Sequence, residues 1–253
     1  MQLPQLIAEK LAGWRAAGYP HEQFPAIAEV LDWLSGRDAG QPPFLRIPQV
    51  RALETYWYLR LVEGTPGIPD LYARLAASPS EHLESLGLSG ERLMQEAFNL
   101  GGVAPLLDKI KDDDDFVRQH KLESLRETLT LDYPSYILAL AMGAGKTMLI
   151  GAIIATEFAM AQEYPDDDFV HNALVFAPGK TIIESLRELA TMPFDGILPP
   201  RMHKPFAASV KLTFTRDGSP DIDVIPGSHY NIVVTNTEKI RIQKASIRKG
   251  DLG

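Results

Sequence analysis

The chain has 253 residues, is 45% hydrophobic, carries a formal net charge of −8 and contains no cysteine. That length and apolar content suit one sizeable core or two modest ones, while the missing thiols exclude a disulfide framework, a thiolate-held zinc and a cysteine nucleophile, and fit a reducing, cytoplasmic setting. The acidic balance excludes a protein whose whole surface attracts nucleic acid, and leaves a local basic face open.

Taken in chain order, the first half reads as helix. Apolar residues at three- and four-residue spacings predict helices over 3–17, 24–34, 49–62, 80–86, 91–100 and 116–131. Gly/Pro-rich breaks, GRDAGQPPF at 36–44 and EGTPGIPD at 63–70, punctuate them. The opening residues show no basic n-region with a cleavage site, so no signal peptide is expected. The acidic runs at 112–115 and 166–168 are expected in loops, as solvated turns that hold no metal.

Near Tyr133-Pro134 the character changes, so a mostly helical N-terminal region, 1–133, is expected to precede a second domain, 134–253. From there strand and helix alternate. YILAL (136–140) leads to a helix from Thr147, NALVFA (172–177) to a helix from Thr181, and VKLTFT (210–215) through the turn RDGSPD to YNIVVT (230–235). Such alternation predicts an α/β fold with a parallel sheet covered by helices. The apolar run 136–161 is long enough to span a bilayer, but Gly143, Gly145 and Lys146 interrupt its centre. A strand, a glycine turn and a buried helix account for it better than a membrane span, so no membrane partner is expected.

Two stretches contain GKT. In the first, Ala141-Met142-Gly143-Ala144-Gly145 runs into a helix at Lys146-Thr147. Strand, glycine turn and helix N-terminus come in the order of a phosphate cradle: glycines let successive N–H groups converge on one anion, and the helix dipole adds a favourable field. Lys146 would reach the terminal phosphates of ATP, and the Thr147 hydroxyl would take a place on Mg²⁺. The general pattern GxxxxGK[ST] has Gly where this chain has Leu140.

AMGAGKT resembles the first motif of superfamily 2 helicases of the DEAD/DEAH-like type, with Met142 where Thr or Pro is usual. ALVFAPGKTIIESL is similar to the next helicase motif. Its turn, Pro178-Gly179-Lys180-Thr181, puts a proline where a phosphate cradle needs a donor, and the resemblance implies contact with a nucleic-acid backbone instead. YNIVVTNTEK is similar to a further strand-end motif, and implies that Thr235, Asn236, Thr237 and Lys239 touch the same strand. Arg241, Lys244, Arg248 and Lys249 follow as a local basic cluster. FLRIPQVRAL (44–53) resembles the helicase Gln motif, which implies that the Gln49 amide pairs with adenine. Gln119, much nearer the glycine loop in sequence, is the alternative.

The resemblance implies a RecA-like P-loop fold for the second domain. It also implies an ATP- and Mg²⁺-dependent helicase or translocase acting on nucleic acid, DNA before RNA, closest to the helicase subunit of type III restriction enzymes and so with other restriction or defence subunits as partners. Such motors carry an Asp-Glu pair at a strand end, and that dipeptide does not occur in residues 1–253. The chain is therefore expected to be an N-terminal portion, stopping inside the first motor domain and binding ATP without turning it over. Two other classes are consistent with the glycine loop: another P-loop NTPase, and a non-catalytic nucleotide-binding interaction protein.

Overall fold

The computed structural model describes residues 3–36, 44–177, 184–214 and 229–236. Its helices are α1 (Leu3–Ala16), α2 (Ala26–Ser35), α3 (Ile47–Trp57, continued by a π-helical turn Tyr58–Val62), α4 (Ile68–Leu75), α5 (Pro79–Ser85), α6 (Glu91–Leu100), α7 (Val103–Asp112), α8 (Asp114–His120), α9 (Glu123–Leu129), α10 (Lys146–Glu163) and α11 (Pro200–Ser209). The strands are β1 (Asn172–Ala177), β2 (Val210–Phe214) and β3 (Tyr230–Asn236). They form an all-parallel sheet in the order β1-β3-β2, so the fold is mixed α/β.

The chain divides into two compact units, one of Met1–Ala28 with Val50–Ala141, the other of Glu29–Gln49 with Met142–Gly253. In this division the segment 29–49 goes with the later half of the chain.

The first unit is helical. One of its cores gathers Leu83, Leu88, Ala97, Leu106, Ile110, Phe116, Val117 and Leu129 from α5 to α9, with Leu88 between α5 and α6. Two of its helices, α4 and α7, escape sequence reading because each starts at a break: Gly67 and Pro69 open α4, and Gly101-Gly102 precede α7. The expected helix 116–131 is two helices, since Lys121 takes a left-handed conformation (φ 55°) that ends α8. The acidic run 112–115 is a helix junction, not a loop: Asp113 caps α8 by accepting from the Phe116 N–H (2.9 Å), and Asp114 and Asp115 fill its first turn. Elsewhere in the unit the Glu54 carboxylate, 1% exposed, accepts from Arg15, Tyr19 and Arg51.

The stretch 136–140 corrects an expectation. It forms no regular element and pairs with no described strand, and Ile137 is 91% exposed. An apolar run becomes a strand only where a neighbour completes its ladder. Here Tyr136 instead packs on Leu6, Leu59, Leu71 and Leu75, and its hydroxyl donates to the Pro66 carbonyl.

In the second unit β3 is central, and Ile232, Val233 and Val234 are buried, as a strand covered on both faces requires. Helix α10 is buried along most of its length and packs against α11 and the 3-10 turn Arg187–Thr191. Gly151 permits that approach: a Cβ there would lie 2.3 Å from the Met192 sulfur. Phe158 of α10 meets Phe206 of α11 and Tyr230 of β3 at ring-centroid distances of 6.4 and 5.4 Å. Among the described residues no helix is long and apolar enough to cross a membrane.

Candidate functional site

The glycine loop folds as two left-handed residues separated by Ala144, with φ 75° at Gly143 and 76° at Gly145. Gly145 is the N-cap of α10, and its carbonyl accepts the first intrahelical bond, from the Leu149 N–H at 3.1 Å. Lys146 and Thr147 are therefore the first two residues of an 18-residue helix. First-turn N–H groups have no intrahelical acceptor, so this end of α10 is suited to an anion. Lys146 and Met142 are exposed, and Thr147 is partly so, which leaves the outer side of the loop open.

Residues 44–49 belong to the same compact unit, and two of them bond the loop. The Phe44 ring covers Gly196 so closely that a Cβ there would meet it at 2.8 Å. The Arg46 guanidinium donates to the Gly143 carbonyl at 3.2 Å. Gln49 makes the central contact: its Nε2 donates to the Gly145 carbonyl at 2.9 Å, across 96 positions of sequence. Its Oε1 accepts from the Arg46 backbone N–H at 2.8 Å. That second bond is half of a capping box, because Arg46 precedes α3 and Gln49 is its third residue. The Gln49 amide, 4% exposed, thus closes its own helix with one end and holds the loop with the other.

Of the two glutamines weighed for the adenine end, Gln49 lies against the loop and Gln119 sits in α8 of the first unit. Arg46, quoted above only as part of a motif, is the loop contact that sequence reading missed. Its place next to a helix start on a Pro-Gln pair was the available signal.

At the carboxyl ends of the strands, β1 and β3 run side by side with Phe176 opposite Thr235 and Ala177 opposite Asn236. Open parallel sheets present ligands at that end. Thr235 is 1% exposed, so its side chain belongs to the sheet core, and the strand tip begins at Asn236. Pro178, Gly179, Lys180, Thr181, Thr237 and Lys239 lie outside the described residues, as does the basic cluster from Arg241 to Lys249.

For Mg²⁺, Thr147 is the candidate ligand at the loop, and among the described residues no group of three or more acidic or histidine side chains is arranged to hold a metal. The acidic run at 166–168 lies in the turn that follows α10. No protein-family model, no curated protein and no solved structure matches the chain.

Proposed function

We propose that the second unit is the nucleotide-binding part of an ATP-dependent helicase or translocase motor of RecA-like type. The observation that carries this reading is the loop 143–147: two left-handed glycines deliver the chain into the N-terminus of a buried helix, with a lysine and a hydroxyl as its first two residues. A left-handed turn followed by helical N–H groups is the backbone arrangement that receives phosphates. The exposed Lys146 adds a cation at that position. The Thr147 hydroxyl is where Mg²⁺ would be held, and MgATP bound there would supply the phosphoryl group for hydrolysis.

The second GKT takes the other role. Pro178 offers no backbone donor, and the helicase resemblance of the segments that follow β1 and β3, whose last residues Ala177 and Asn236 are in register, supports assigning 178–181 and 236–239 to a nucleic-acid backbone. Turnover in such a motor needs a carboxylate pair to orient water and hold the metal, and residues 1–253 contain no Asp-Glu.

The reading therefore predicts that this chain binds MgATP and single-stranded nucleic acid but does not sustain hydrolysis. Phosphate release with and without single-stranded DNA, measured beside MgATP binding on one monodisperse sample, tests it. Absence of binding removes the reading, and Lys146-dependent turnover contradicts the division of labour.

A further inference from the structure

We infer that Gln49 is a positioning residue for the phosphate loop and not a reader of the base, so that the site grips the triphosphate of a nucleotide irrespective of its nucleobase. The inference rests on the nucleotide-binding reading above and specifies which part of the ligand that site recognises. A glutamine that recognises adenine must offer a donor and an acceptor together to the base edge. In Gln49 both are engaged with backbone: Nε2 donates to the Gly145 carbonyl at 2.9 Å, and Oε1 accepts from the Arg46 N–H at 2.8 Å. The residue is 4% exposed, so little of the second N–H and second lone pair of the amide is open to a base.

What Gln49 holds is also informative. The Gly145 carbonyl already accepts from Leu149, so the amide bonds the N-cap carbonyl of α10 from outside and fixes the direction in which the helix starts. Arg46 makes the same kind of contact two residues earlier, at the Gly143 carbonyl. Both left-handed glycines of the loop are therefore tethered through their carbonyls. The fit is tight, since a Cβ at Gly145 would come within 2.4 Å of the Gln49 amide nitrogen.

Gln49→Glu separates the two contacts. A carboxylate still accepts from the Arg46 N–H and keeps the cap of α3, but it cannot donate to the Gly145 carbonyl. Affinities for MgATP, MgGTP and Mg-tripolyphosphate are measured by calorimetry for the parent and for Gln49→Glu. The inference predicts one common loss, about three- to tenfold, for all three ligands and an unchanged ATP/GTP ratio. A loss confined to ATP, with GTP and tripolyphosphate unaffected, overturns it. The parent chain supplies a test that needs no variant: 7-deaza-ATP, which lacks the N7 acceptor, is expected to bind as tightly as ATP, and weaker binding of the deaza analogue overturns the inference. If the parent binds none of these ligands, the nucleotide-binding reading fails and the inference with it. An ATP-only effect defeats the inference alone.

Discussion

Alanine at either loop glycine imposes the same backbone strain, but only one of the two sites meets a neighbour. Gly143 and Gly145 have φ of 75° and 76°, and an L-residue held there costs about 1–2 kcal/mol. A Cβ at Gly143 finds nothing within 4 Å, whereas one at Gly145 lies 2.4 Å from Gln49 Nε2. The clash is with the far end of a flexible side chain, so Gln49 moves and the strand of contacts around it breaks. That leaves a buried amide short of a partner, at about 1–3 kcal/mol. Gly145→Ala should therefore weaken the loop by about 1–3 kcal/mol more than Gly143→Ala, roughly 5- to 150-fold when read as MgATP affinity. Calorimetric titration of both variants, with urea unfolding to show that each remains folded, gives the comparison. In a Gln49→Ala background the steric part disappears, and the two glycine substitutions should cost nearly the same. Equal losses in the parent background would refute the packing argument.

Other outcomes are accessible to standard measurements. Glu54→Ala leaves the Arg15 guanidinium and the fully buried Tyr19 hydroxyl without their shared acceptor, and urea unfolding should show a loss of about 3–5 kcal/mol; a loss below about 1 kcal/mol would mean the cluster contributes little. Burial of the His82 ring holds its pKa below the ordinary 6.5, and its Nε2 has no hydrogen-bond partner. The unfolded chain then takes up the proton first, so this contribution is intact above pH 6.5 and is lost as the pH falls through the folded value. His82→Gln should flatten the acid limb of stability against pH, and an unaltered limb argues against the assignment. Replacing Lys180, Asn236 and Lys239 together should reduce the salt dependence of single-strand binding by about 1–1.5 in logarithmic slope, with sequence preference unmoved. An unchanged slope returns those residues to ordinary solvated surface.

The glycine loop was legible because its conformation is local: left-handed residues need glycine, and the helix that follows shows itself by composition. NALVFA and YNIVVT read as strands for a similar reason, since both are short, rich in β-branched or aromatic residues and end in turn formers. YILAL is as apolar and is not a strand. Its fate depends on a partner strand, which nothing within those residues specifies. Likewise Lys121 splits a helix through a backbone conformation that lysine rarely adopts, and no sequence pattern announces it. The Gln motif was readable as a string of residues. What the Gln49 amide bonds to was not, because one partner lies three residues away and the other 96.

The central claim is that the first GKT, and not the second, receives the nucleotide. Lys146 is the first residue of α10 at the left-handed turn, and removing its ammonium deletes a charge-assisted phosphate contact of about 1.5–3 kcal/mol. Lys180 follows a proline that offers no donor. Calorimetric titration of MgATP into Lys146→Ala and Lys180→Ala, beside the parent, addresses the claim directly. A loss of about 10- to 150-fold in the first variant with near-parent affinity in the second is the predicted result; equal losses, or a loss in Lys180→Ala alone, would contradict it.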